Sequence, residues 1–167
     1  LMNAVVKLGK PAARLVDAVD TVSLCLSKGL GTPAGSVLVG PVDFIRRAHR
    51  IRKLVGGGMR QIGVVAAAGT YALDHHIDRL AHDHANALHL AERLTRVNAI
   101  YVDPNLVETN MVFITLPDGA ADGLRAYLAE RGILLGGGAK QIRLVTHLDI
   151  TRDDIDLLSE EISHYFA

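Results

Sequence analysis

A glycine-rich turn with one lysine, Ser27-Lys28-Gly29-Leu30-Gly31-Thr32-Pro33-Ala34-Gly35-Ser36, is the feature that most constrains this chain. It is held between two apolar runs. Thr21-Val22-Ser23-Leu24-Cys25-Leu26 upstream and Ser36-Val37-Leu38-Val39-Gly40 downstream are short, rich in β-branched residues and end at Gly or Pro, which predicts two strands. Both read as apolar on either face, and so as members of a larger, mostly parallel sheet covered by helices on each side. The turn presents Lys28 at a strand end, in a loop whose glycines and Pro33 let backbone come close to a ligand. A lysine shielded by apolar neighbours loses its proton readily, and a neutral amine attacks aldehydes, so the sharp reading is a Schiff-base lysine. The plain alternative is a surface lysine in a hairpin loop.

Around this turn the pattern alternates helix and strand. Leu1–Leu8 and Ala12–Ala18 predict short helices separated by Gly9-Lys10-Pro11. Asp43–Val55 has Phe44, Ile45, Ala48 and Ile51 at near-helical spacing, with Arg46, Arg47, His49, Arg50, Arg52 and Lys53 crowding it. Gly56-Gly57-Gly58 breaks that helix, and Met59-Arg60-Gln61 begins an Ala- and Val-rich helix to about Leu73. An arginine beside a glycine turn and a helix N-terminus suits a phosphate, because backbone N–H groups, the helix dipole and a fork of donors converge there. A helix cap is the alternative for Arg60.

Ile77–Val97 predicts the longest helix, with Ile77, Leu80, Ala81, Ala85, Leu88, Ala91 and Leu94 on one stripe. Its histidines (His82, His84 and His89, with His75 and His76 just before) lack the His, His pair at i, i+4 around an acid, so no metal site is expected. Strands follow at Ile100–Val102, Met111–Leu116, Ile133–Leu135 and Gln141–Thr146, with helices at Ala120–Arg131 and after the capping residue Thr151. Arg143 lies among apolar residues of a strand, where a guanidinium either meets an anion or faces water on an edge.

The 167 residues carry a formal net charge of zero, which argues against the basic helix serving nucleic acid, and the lack of nearby aromatic residues agrees. No apolar run reaches the roughly 18 residues a membrane span needs, and no signal-peptide pattern opens the chain, so a cytosolic protein without a membrane partner is expected. Cys25 is alone and reads as a small hydrophobe. The chain begins at Leu1-Met2 with its first apolar pattern already under way and no cap before it, which reads as a truncated start.

Ser27–Ser36, Arg52-Lys53, Gly56-Gly57-Gly58-Met59-Arg60-Gln61, Ala66-Ala67-Ala68-Gly69-Thr70-Tyr71-Ala72-Leu73 and Arg143-Leu144-Val145-Thr146-His147-Leu148-Asp149 together resemble the low-specificity threonine aldolases. These are pyridoxal phosphate enzymes of the aspartate-aminotransferase-like fold, and the resemblance covers nearly the whole chain. It implies an α/β fold: the C-terminal half of a fold-type-I pyridoxal phosphate enzyme. Residues 1–76 would be the second half of the large cofactor domain, and 77–167 the small C-terminal α+β domain. It implies that Lys28 holds pyridoxal phosphate, that Arg60 lies near the cofactor phosphate across a subunit boundary, and that Lys53 is near the active site. Arg143 would bind the substrate carboxylate. The implied substrate is a β-hydroxy-α-amino acid, cleaved to glycine and an aldehyde by a homo-oligomer. The family's Asp-Gly-Ala-Arg segment, whose aspartate pairs with the pyridine nitrogen, would stand just before Leu1. Another β-eliminating lyase or an aminotransferase on the same fold is the rival enzyme reading. A basic-helix nucleic-acid-binding protein is the non-enzyme one.

Overall fold

In the computed structural model, which describes residues 1–167, the chain divides at residue 80 into two units, Leu1–Leu80 and Ala81–Ala167. The first opens with two short helices, α1 (Met2–Leu8) and α2 (Ala12–Leu15), separated by Gly9 in the left-handed region at φ 60°. Strands β1 (Val22–Cys25) and β2 (Ser36–Val39) then pair antiparallel, Val22 opposite Val39 and Cys25 opposite Ser36. The pair is a hairpin and carries none of the parallel character expected of the larger sheet, because a connection this short cannot cross over to a parallel neighbour. All four β2 residues are exposed.

Helix α3 (Val42–Leu54) buries no residue, and α4 (Gly63–His75) buries only Gly69 and Ala72. The expected start of α4 at Met59 is wrong: Arg60 to Ile62 form a turn, with Gln61 at φ 52°, and the helix begins only at Gly63. The glycine triplet folds back on the end of α3 instead. Gly57 N–H donates to the Arg52 carbonyl at 2.7 Å, and a Cβ on Gly57 would stand 2.6 Å from Arg52 Cγ. Leu26, Leu30 and Ala72 form a small core, with Met2, Leu24 and Ile77 against it.

The second unit is an α+β layer. Strands β3 (Met111–Thr115) and β4 (Gln141–Val145) pair antiparallel, and period-two alternation sends Val112, Ile114, Ile142 and Leu144 inward. Helices α5 (Leu80–Leu94), α6 (Ala120–Ala129) and α7 (Arg152–Tyr165) supply Leu90, Leu94, Leu124, Leu128, Ile155 and Ile162 to the same core. Helix α7 starts on a capping box, Thr151 Oγ1 accepting from Asp154 N–H while the Asp154 carboxylate accepts from Thr151 N–H at 2.8 Å.

Three expectations fail here. Of the expected α5 stripe Leu80, Ala91 and Leu94 are buried, but Asp83, Ala87 and Leu90 are buried with them, whereas Ala81, Ala85 and Leu88 are exposed. Both stripes have helical spacing, and an alanine-rich helix offers two registers. Ile133–Leu135 forms no strand, because Gly132 (φ 74°) closes α6 in a Schellman arrangement: Gly132 N–H donates to Ala129 and Ile133 N–H to Leu128, each at 3.0 Å. Ile100–Val102 contributes only a bridge from Tyr101 to Thr115, and a 3₁₀ turn follows at Pro104–Leu106. No helix is long and apolar enough to cross a membrane.

Candidate active site

The Lys28 turn is braced at five points. Leu26 N–H donates to Gly35 (3.0 Å), Thr32 N–H to Leu26 (3.2 Å) and Gly31 N–H to Lys28 (2.7 Å), while Thr32 Oγ1 donates to the Ala34 carbonyl at 3.1 Å. The fifth brace comes from His76 at the end of α4, whose Nδ1 donates to the Leu30 carbonyl at 2.6 Å. A carbonyl only accepts, so Nδ1 carries the hydrogen. Gly31 at φ 70° and Gly35 at φ 118° supply conformations that a residue with a Cβ resists. Gly69 on α4 lets the hairpin approach, since a Cβ there would meet Leu26 Cδ1 at 3.0 Å.

This bracing turns Leu26 and Leu30 inward, 6% and 3% exposed, and leaves Ser27 and Lys28 outward. The expected apolar shielding of Lys28 is therefore absent in this chain. Its neighbours in sequence bury themselves, so they cannot cover the amine. The Lys28 side-chain amine makes no hydrogen bond or ion pair. Beside it, Cys25 is half-buried; the Ser27 hydroxyl, and more weakly Ser36 and the Lys28 charge, hold its thiol below the ordinary value against partial desolvation. A buried small hydrophobe is thus an incomplete description of Cys25.

Lys53 and Arg60 flank the glycine triplet of the α3–α4 connection. Lys53 Nζ lies 3.1 Å from the position a Cβ on Gly58 would take, and Arg60 follows two residues later in the exposed turn. Neither cation has an ion-pair partner. In the second unit Arg143 sits on the outward face of β4, opposite Phe113, also without a partner. It lines a cleft of about 880 Å³ whose other walls include the glycine run Gly136–Gly138 and Leu158 of α7.

The donor set fits the group the sequence implies. A carbonyl-bearing cofactor needs a primary amine with no competing partner, held on a fixed loop, and Lys28 is one. An anionic substituent needs cations not already neutralised, next to backbone free of side chains, which Lys53, Arg60 and the glycine triplet provide. Sequence reasoning missed His76, whose brace joins residues 46 apart in the chain and leaves no local pattern.

The Beta-eliminating lyase family profile matches residues 1–117. Low-specificity L-threonine aldolase 1 of Arabidopsis thaliana is 49% identical over 159 residues, 93% of this chain and 44% of that protein. Low specificity L-threonine aldolase of Escherichia coli strain K12 is 44% identical over 167 residues, 100% of this chain and 48% of that protein. A crystal structure from Exiguobacterium sp. 255-15, assigned to the aromatic amino acid beta-eliminating lyase/threonine aldolase group, superposes with a TM-score of 0.82 at 20% identity, covering 99% of this chain and 50% of that one. The shared fold is that of the fold-type-I pyridoxal phosphate enzymes. The chain spans about half the length of the curated relatives it matches. With a family match over residues 1–117 and relatives this similar, the chain belongs to the Beta-eliminating lyase family.

Proposed function

We propose that this chain is a fragment of a pyridoxal phosphate-dependent carbon–carbon lyase that cleaves threonine or its allo form to glycine and acetaldehyde. The observation that carries the reading is the unpartnered amine of Lys28 on a turn braced from both strands and from α4. When bound, the cofactor supplies an aldehyde carbon for that amine and an electron-withdrawing ring that weakens the bonds at the substrate α-carbon. Lys28 attacks only as the neutral amine, so it must release its proton before it engages the cofactor and take one back when substrate displaces it. The braces from Gly31, Thr32 and His76 hold the turn still while that exchange occurs.

Lys53 and Arg60 are assigned to the cofactor phosphate and its surroundings, where two free cations beside Gly56–Gly58 stabilise an anion. Arg143 is assigned to the substrate carboxylate, because its fork matches two oxygens and orients the amino acid. The cleavage needs no oxidant: the proton that leaves the β-hydroxyl is matched by the proton that arrives at the α-carbon. A homo-oligomer is the assembly that accounts for the exposed apolar residues of α3 and α4, among them Leu54, Val64 and Tyr71.

The test is threonine cleavage by the full-length protein loaded with pyridoxal phosphate, read as acetaldehyde release. Lys28→Ala should remove both turnover and the visible absorbance of the bound cofactor. Keto acid formed with ammonia and without acetaldehyde would assign a β-eliminating lyase instead, and keto acid formed only when an amino-accepting keto acid is added would assign an aminotransferase.

A further inference from the structure

We propose that Arg125 is a positioning residue for the amino-acid end of the site, holding in place the glycine loop that walls the cleft beside Arg143. The loop runs from Ile133, fixed to the end of α6 by its N–H, to Lys140, whose carbonyl accepts from Leu116 N–H at 2.9 Å and whose Nζ pairs with Asp118 at 2.8 Å. Between those anchors, Leu134 to Ala139 make no backbone–backbone hydrogen bond. Their polar tether is one guanidinium nitrogen: Arg125 Nη2 donates to the Gly137 carbonyl at 2.7 Å and to the Gly138 carbonyl at 2.5 Å. Its other nitrogen, Nη1, pairs with Asp122 at 3.0 Å one turn back on α6, which aims the fork at the loop.

Three consecutive glycines bring no side chains to pack and lose the most freedom on being ordered, so such a wall keeps one shape only if something holds its backbone. The shape matters to Arg143 because the loop folds back on the start of β4. A Cβ on Gly138 would stand 2.7 Å from the Gln141 carbonyl oxygen, and one on Gly137 would stand 3.1 Å from Ile142 Cγ2, the residue before Arg143. Gly137 itself sits at φ 111°. Freeing the loop therefore loosens both the cleft wall and the strand end that carries Arg143. The proposal rests on the reading of this cleft as the place of the substrate's amino-acid group.

The experiment uses the full-length protein with pyridoxal phosphate and the variants Arg125→Ala and Arg125→Lys. Amide hydrogen exchange of Leu116, whose N–H is paired to the Lys140 carbonyl, and of β4, steady-state threonine cleavage and equilibrium glycine binding are measured on each. Arg125→Ala should speed exchange at these loop anchors about tenfold, as loss of a hydrogen bond does, with α5 and α7 unchanged. KM for threonine and the glycine dissociation constant should rise roughly tenfold, up to about a hundredfold for a misplacement of an ångström, while kcat stays within about threefold. Arg125→Lys keeps the charge and one donor and should fall between. Unchanged exchange at these anchors overturns the proposal, and so does faster exchange with unchanged KM and glycine binding. Where the alanine variant also frees α5, the lysine variant decides: anchor exchange and glycine binding that both match the parent protein reject the role. Arg143→Gln with unchanged glycine affinity would instead sink the carboxylate reading of Arg143, and leaves the Arg125 result to stand or fall by the loop alone.

Discussion

Replacing Arg143 by lysine in the full-length protein separates binding from folding. Arg143 projects from the outward face of β4, has no ion-pair partner and faces only Phe113, itself 50% exposed, across the ribbon. An exposed strand position with one cross-strand neighbour contributes less than about 1 kcal/mol, so the denaturant midpoint should barely move. Binding is another matter. A guanidinium fork gives a carboxylate two charge-assisted hydrogen bonds, and lysine retains the charge while giving up the second bond. One such bond is worth about 1.5–3 kcal/mol, which predicts a fall in kcat/KM for threonine of roughly tenfold to a little over a hundredfold. Acetaldehyde release gives kcat/KM, and urea unfolding followed by far-UV dichroism gives stability. An unchanged kcat/KM refutes the assignment, and so does a loss of activity that tracks a loss of stability.

The second unit should weaken in acid. The Asp154 carboxyl is held below its usual range by hydrogen bonds from the Thr151 side chain and backbone; Asp156 is held low first by its hydrogen bond to His89 and then by the Arg93 charge. Groups lowered on folding stabilise above the unfolded carboxylate pKa of about 3.9, and that contribution is lost as pH falls through the folded value. The urea midpoint of this unit should fall between pH 5 and pH 3, with a flatter profile in an Asp154→Asn, Asp156→Asn double variant; coincident profiles contradict this. The 167-residue chain alone should self-associate, because Val42, Leu54, Val55, Met59 and Val64 are each more than 60% exposed, apart from any bound cofactor. Sedimentation velocity showing a single monomer at tens of micromolar would remove that expectation.

Local signals were legible in the residues. Glycines 31 and 35 announced the Lys28 turn, Thr151 with Asp154 announced α7, and short apolar runs announced β3 and β4. Long-range choices were not. Which alanines and leucines of α5 face the core depends on what packs there, and Asp83 on the buried stripe matches no apolar pattern. Ile133 reads as a strand residue until Gly132 recruits its N–H to cap α6. The outward position of Lys28 is set by the burial of its leucine neighbours, and the roles of His76 and Arg125 exist only through contacts with distant backbone carbonyls.

The most direct test of the account is to find which amine holds the cofactor. Borohydride reduction of the full-length, pyridoxal phosphate-loaded protein fixes the cofactor to whichever lysine binds it, and peptide mapping by mass spectrometry reads the position. The label should appear on the peptide containing Lys28, in the turn between β1 and β2. A label on Lys10, Lys53 or Lys140 would contradict the central assignment.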